Sequence, residues 1–447
     1  MTAAKKNNSR RKSAKFRRSR KKRIQKTILL VLLLIFLGGA GIGSIYLLRN
    51  GTLFGKLDEP YMASREFSGG ITGTDSLRAD GFAKKLCVVV SDVPMDGVSL
   101  GENQKGLLLD LDDRQVLYSK QALQKVYPAS ITKLLTCLLG CENLDTSAQI
   151  TLSQQAAYGI EAGSSTIYGD AGEVFTVEQA LMGLMLESAN EMALAIGEEV
   201  SGSVKKFVEL MNTRAQQLGC TNTHFNNPNG LPDETHVTTA NDMAKIAKAA
   251  WQNATCRKFF TTDLYEIPPT NVFTETRYLL NHHKMMAGRD YAYDGVLGGK
   301  TGYTDAAGAT LVTYAKRGNM LLVAVVMNSV NGAWSDTKSL LDYGFDNFER
   351  QRIKVSMNPV PKENLPSEQY LLNNCGNTYP FYYTKNIYVT VPIGTDVKTL
   401  TRKQRVLSNA VGPLRLKSKY YFNGQMVGWG MQYERSILAN LLTVPGA

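Results

Sequence analysis

The run ILLVLLLIFLGGAGIGSIYLL, Ile28 to Leu48, holds twenty-one residues without a charge. As a helix it spans roughly 31 Å, about one hydrocarbon core, so the chain is expected to cross a membrane once and fold its remainder on one side. The flanks set the direction. Thirteen Lys and Arg and no acidic residue lie in Met1 to Lys26, and the positive-inside rule keeps such a tail cytoplasmic and sends everything after Arg49 across the membrane. A cleaved signal peptide competes with this reading, because Gly38 to Ser44 is rich in small residues. No A-x-A site is present and the apolar run resumes with Ile45 to Leu48, so an uncleaved anchor is favoured.

The tail also explains the formal charge of +12. Without its thirteen basic residues the chain carries 38 basic residues against 39 acidic ones. A nucleic-acid role is therefore disfavoured, and orientation with binding to anionic lipid is the better account of the tail. With 447 residues, 43% of them apolar, the chain has room for two or three domains with real cores.

The cysteines, at 87, 137, 141, 220, 256 and 375, show neither a disulfide framework nor a metal-binding pattern. Cys137 and Cys141 lie four apart on one helix face and read as small core residues. The four histidines, His224, His236, His282 and His283, lack metal spacing as well. No metal and no cofactor is expected.

Along the chain, 1–26 reads as the basic tail, 27–48 as the anchor and 49–81 as a Gly-, Ser- and Thr-rich linker. From Leu86 come short strands: LCVVVSD, then KGLLLDL and QVLYSK, joined by Asp112, Asp113 and Arg114 as a hairpin. Helices follow, from SITKLLTCLLGCENL, VEQALMGLMLE and NEMALAIGEEV. Three strand-like runs between Asp294 and Val330, broken at Asp305 to Gly308 and Gly318-Asn319, predict an antiparallel meander, with an amphipathic helix from Ser335 to Phe348 after it. Residues 82–349 thus form the main domain. Alternating segments in 350–447, including an Asn423-Gly424 hairpin turn, predict a small all-β domain.

Within this frame VYPASITKLLT places Ser130 three residues before Lys133. A serine is inert at neutral pH without a base in hydrogen-bond reach, and positions i and i+3 share a helix face. The same Ser-x-x-Lys spacing starts at Ser9, Ser19, Ser203 and Ser335. Ser9 and Ser19 lie in the solvated tail, while Ser203 and Ser335 read as helix starts with outward lysines. Only Lys133 has the apolar setting that lowers a lysine's pKa. Taken alone, the spacing is equally well explained by a capped core helix. The order changes this: Ser188-x-Asn190 follows, and Lys300-Thr301-Gly302, which occurs once in the chain, comes third.

That ordered triple is the set found in penicillin-binding proteins and related β-lactamases. Together with FNNPNGLPDETHVTTANDMAKIA, DGVLGGKTGYTDAAG and LLDYGFDNF, it makes residues 86–350 resemble the D-alanyl-D-alanine carboxypeptidases among the low-molecular-weight penicillin-binding proteins, serine peptidase family S11. The resemblance implies an α/β fold, with an antiparallel sheet flanked by helices. It implies that Ser130 attacks the bond between the two terminal D-alanines of a peptidoglycan stem peptide, that Lys133 is its base and that Ser188 relays a proton to the leaving amine. Asn190 would hold the substrate amide and the lysine, and Lys300 and Thr301 the terminal carboxylate. Gly302 would let the substrate lie against the strand, and the N–H groups of Ser130 and Tyr303 would form the oxyanion hole. β-Lactams would be covalent inhibitors.

Two departures accompany the resemblance. Many relatives carry a C-terminal amphipathic anchor, which Ser436 to Ala447 does not resemble, and some have histidine where Tyr303 stands. His236 reads as structural, and Glu187 and Glu191 as solvated or capping carboxylates. A serine β-lactamase shares the triple, but its commonest class adds an E-x-x-x-N segment, absent between Asn190 and Lys300. A catalytically silent stem-peptide scaffold is the other alternative, against which the intact Ser130 and Lys133 speak.

Overall fold

The structure, a computed structural model, describes residues 100–113, 115–330, 332–353, 360–361, 378–379, 381–383, 387–407 and 415–434. The tail, the anchor, the linker, the strand expected in LCVVVSD, Cys87, Cys375 and Ser436 to Ala447 lie outside these. Among the described residues no helix is long and apolar enough to cross a membrane.

The expected hairpin forms from β1 (Lys105–Asp110) and β2 (Gln115–Lys120). A 3-10 turn over Ala129–Thr132 then leads into α1 (Lys133–Asn143). Helices α2 (Val177–Leu186), α3 (Asn190–Ser201), α4 (Val204–Gln217), α5 (Ala240–Gln252) and α6 (Ala254–Thr261) follow. Thr176 and Gln179 close a reciprocal capping box on α2, and Ser203 accepts from the Lys206 N–H, the cap read from its sequence. The meander is β3 (Val296–Thr304), β4 (Gly308–Arg317) and β5 (Met320–Ser329). Helix α7 spans Ala333–Asn347, starting two residues before Ser335 and ending at Asn347, where Phe348 begins strand β6 (Phe348–Ile353).

The five strands form one antiparallel sheet in the order β2-β1-β5-β4-β3, which leaves β3 at an edge. Side chains alternate between two cores. Leu107, Leu109, Val323, Val325, Val312 and Tyr314 face the helical layer, whereas Leu108, Leu322, Ala324, Val326 and Leu311 face α7 and the C-terminal strands. A sheet covered on both faces explains why KGLLLD and MLLVAVVM are continuous apolar runs rather than alternating ones. Each Val or Leu so buried contributes about 1.5–3 kcal/mol.

The described residues after Phe348 are mostly β-strand. β6 pairs with β7 (Ile387–Pro392), and β8 (Thr401–Leu407), β9 (Arg415–Phe422) and β10 (Gln425–Glu434) form an antiparallel set. Asn423 and Gly424 both have positive φ, 48° and 82°, as a two-residue hairpin turn requires. This segment is docked on the larger domain by Val389, Val391 and Val427 in the second core. A polar knot adds to the docking: the Thr390 hydroxyl lies within hydrogen-bond range of both Asp110 and Asp113, and the Arg350 guanidinium reaches Asp113 at 3.2 Å.

Candidate active site

Ser130 sits in the 3-10 turn before α1, one turn ahead of the α-helix proper. The turn is pinned from several directions. Pro128 O accepts from Thr310 Oγ1 at 2.9 Å, Thr132 Oγ1 meets His236 Nε2 at 3.0 Å, and Thr136 Oγ1 donates to Pro228 O at 2.6 Å. Ala129 takes a left-handed φ of 51°, unusual for a residue with a side chain. Its carbonyl packs against Gly230, where a Cβ would lie 2.0 Å from the Ala129 oxygen. His236 thus serves as a structural bridge, as read from its sequence: its other nitrogen, Nδ1, accepts from Asn226 N at 3.0 Å.

Lys133 is fully buried. Its Nζ lies 2.9 Å from Ser130 Oγ, 2.7 Å from Asn190 Oδ1 and 2.6 Å from Asn229 O. Burial pushes the ammonium pKa well below the usual lysine range, the Lys300 charge pushes the same way, and Glu191 opposes both. The geometry has a direct consequence for the neutral amine. Two fixed acceptors take its two N–H groups, leaving the lone pair for the Ser130 hydroxyl.

Ser188 lies between α2 and α3 with a φ of 61°, and its Oγ is buried with no hydrogen-bond partner among the described residues. A non-glycine residue in this region carries of order 1–3 kcal/mol of strain, a feature concentrated at functional sites. Asn190 does not cap α3, the bland reading of its position. It is the first helical residue after Ala189, and its side chain is spent on Lys133.

The two neighbouring glutamates differ from expectation. Glu191 is completely buried, accepting from Thr166 Oγ1 at 2.6 Å and Ile167 N at 2.7 Å, and so anchors the loop beside the site rather than facing solvent. Glu187 accepts from Leu280 N at 2.6 Å and pairs with His282 at 2.8 Å. Neither carboxylate bonds Ser130, Lys133 or Ser188.

On β3, Lys300 is 2% exposed, with Nζ donating to Thr301 O at 3.0 Å. Burial lowers its pKa to about 7, opposed by Glu187, so its charge is conditional on pH rather than fixed. Tyr303 is 68% exposed. Gly302 has a more specific reason to be glycine than a clear strand edge: its Cβ would stand 2.8 Å from Ser130 N and 3.1 Å from Ile131 N, against the turn that carries Ser130. Gly302 therefore lets β3, which carries Lys300 and Thr301, close against the Ser130 turn, while Asn190 meets Lys133 from α3.

The Asn229 carbonyl was not singled out from sequence. A backbone acceptor leaves no residue-type signal, although the Asn-Pro-Asn-Gly turn around it marks a strained segment. The cysteines also depart from expectation, since Cys137, Cys141 and Cys256 bring their sulfurs within 4.8 Å of one another.

A sequence profile of the family described as peptidase S11, D-alanyl-D-alanine carboxypeptidase, matches residues 101–331. The carboxypeptidase DacF of Bacillus subtilis is 30% identical over 321 residues, covering 70% of this chain and 79% of the relative. Among solved structures, penicillin binding protein 5 of Haemophilus influenzae is 25% identical with a TM-score of 0.62, covering 77% of this chain and 98% of its own. A D-alanyl-D-alanine carboxypeptidase of Mycobacterium tuberculosis is 28% identical with a TM-score of 0.52, over 58% of this chain and 96% of its own. With this antiparallel sheet between helices and these matches, the chain belongs to the peptidase S11 family of serine-type D-alanyl-D-alanine carboxypeptidases.

Proposed function

We propose that Ser130 is the nucleophile and Lys133 its general base in removal of the terminal D-alanine from peptidoglycan stem peptides. The observation that carries this reading is the Lys133 amine, buried and held by Asn190 Oδ1 and Asn229 O with its third direction on Ser130 Oγ. Ser130 Oγ gives its proton to Lys133 and attacks the carbonyl carbon of the penultimate D-alanine. The oxygen charge that develops is met by the N–H groups of Ser130 and Tyr303, whose donors contribute on the order of 3 kcal/mol each. The amide C–N bond breaks, Ser188 relays a proton to the leaving amine, and free D-alanine departs. Water, deprotonated by the same base, then releases the acyl group.

Lys300, in its charged form, and Thr301 bind the substrate's terminal carboxylate, and that carboxylate in turn raises the lysine's proton affinity. β-Lactams would acylate Ser130 as trapped analogues of this peptide. The chain is read as held in the bacterial cell membrane by residues 27–48 with the catalytic domain outside, supported by the uncharged run and its basic flank.

The test compares D-alanine release by the purified chain and by a Ser130→Ala variant, on a pentapeptide ending in D-Ala-D-Ala. Release is expected to vanish in the variant. Equal release from both would remove Ser130 from the mechanism.

A further inference from the structure

Three thiols converge behind the catalytic helix. Cys137 and Cys141 lie one turn apart on α1 and Cys256 on α6, with Cys137 Sγ 3.4 Å from Cys256 Sγ and all three sulfurs within 4.8 Å of one another. Cys137 and Cys256 are fully buried, whereas Cys141 is partly open to solvent. Cys220 provides the contrast. It is buried too, but its S–H is directed at the Asp242 carbonyl at 3.5 Å, the arrangement of an ordinary core cysteine. The three clustered sulfurs instead contact one another.

We propose that Cys137, Cys141 and Cys256 form a binding site for a zinc-like, thiophilic divalent cation, with its fourth position open toward solvent on the Cys141 side. The spacing fits this use. A tetrahedral ion with bonds of about 2.3 Å to sulfur sets its thiolates about 3.8 Å apart, between the 3.4 Å of Cys137 to Cys256 and the 4.8 Å that bounds all three pairs. Charge selects the class of ion. Three thiolates leave one net negative charge around a divalent cation but two around a monovalent one, and an apolar core disfavours the second. The neighbouring Glu142 carboxylate is engaged by Arg214 at 2.6 and 3.0 Å, which leaves water as the fourth ligand. On binding, each ligating thiol passes its proton to the buffer and the ion takes its place.

The position gives such an ion a structural role. Cys137 is one turn beyond Lys133 on α1, and α6 carries Phe260, whose carbonyl packs against Gly298 of β3, where a Cβ would lie 2.1 Å away. A bound ion therefore ties the helix that carries the base to the helix that backs the Lys300 strand.

The full-length chain, reduced, freed of metal by a chelator and kept anaerobic, is titrated with Co2+ and then Zn2+. One Co2+ per chain is expected, with thiolate-to-cobalt charge-transfer absorption and the intense visible bands of a tetrahedral ion, displaced by Zn2+ with a rise in the melting midpoint. Both signals should disappear in Cys256→Ser and in Cys141→Ser, whose site is partly exposed and whose folding is checked by circular dichroism. Cys220→Ser should retain them. The proposal is overturned if the chain takes up no Co2+ in this form, or if the bands persist in a folded Cys141→Ser chain. A native disulfide joining Cys256 to Cys137 or Cys141, found by mass spectrometry before reduction, also overturns it.

Discussion

Replacing Gly302 by alanine adds one methyl group where β3 meets the turn that carries Ser130. That carbon would lie 2.4 Å from Thr310 Oγ1 and 2.8 Å from Ser130 N, against an ordinary contact beginning at 3.4 Å. The Thr310 hydroxyl cannot rotate away freely, because it donates to Pro128 O at 2.9 Å, and a buried carbonyl left unpaired costs about 1–3 kcal/mol. Relief at Ser130 requires its turn to retreat by about 0.6 Å, the difference between 3.4 and 2.8 Å, while the Thr310 overlap separately requires about 1.0 Å of opening between the methyl and β4. Such a retreat stretches the 2.9 Å contact of Ser130 Oγ with Lys133 and withdraws the Ser130 N–H from the developing oxyanion. A displacement of this size in a reacting group costs about 10- to 100-fold in rate, about 1.4–2.7 kcal/mol of barrier. The assay is steady-state D-alanine release together with single-turnover acylation by a fluorescent penicillin, with a thermal melt alongside. The expected result is a lower kcat and slower acylation by an otherwise folded chain. A raised KM with kcat unchanged would refute the steric argument and return Gly302 to the role of clearing the strand edge for substrate.

Two further perturbations follow from the charges. The proposed mechanism needs Lys133 neutral and Lys300 charged, so kcat/KM should rise with pH through the depressed Lys133 pKa and fall as Lys300 loses its proton at about 7. Because the buried Glu191 carboxylate raises the Lys133 pKa, Glu191→Gln should move the acid limb of that profile to lower pH; a limb that stays in place would remove Glu191 from the electrostatics of the base. At the domain junction, burial and then the Asp113 charge raise Asp110 to about 7, with Asp112 acting in the same direction, Thr390 opposing, and Arg350 paired to Asp113. A carboxyl whose folded pKa is raised stabilises the docked state most at low pH, and that contribution is lost as pH rises from about 4 to 7. Melting curves across that range should show the slope, and Asp110→Asn should flatten it.

The sequence made legible whatever rests on periodicity and turn chemistry. The β1–β2 hairpin, the β3–β4–β5 meander and the Asn423-Gly424 turn follow from alternation and positive-φ residues, which act locally. The order of Ser130, Ser188 and Lys300 pointed to one candidate site because three elements in sequence carry information that no single residue does. Long-range packing was not legible. The burial of Glu191 depends on the Thr166 loop closing over it, and the Lys133 contact with the Asn229 carbonyl depends on a backbone atom. The meeting of Cys256 with Cys137 is set by how α6 lies on α1 across 119 residues of chain. The lowered pKa of Lys300 likewise comes from the sheet edge being covered by the serine's turn, which no strand pattern encodes.

The Lys133 amine draws one partner from 57 residues away and another from 96 residues away. Contacts of such sequence separation form only after their loops have closed, so the reactive pair is assembled late in folding. A chain that has formed α1 but not yet docked α3 and the 225–236 segment holds an ordinary charged lysine beside an ordinary hydroxyl, and it has no reactivity to misdirect. Conversely, if Ser130 is the residue acylated, as proposed above, covalent labelling by a β-lactam would count correctly folded molecules one by one. Refolding followed by that label should lag refolding followed by helix content, and the interval between the two measures how long the catalytic half of the molecule takes to close.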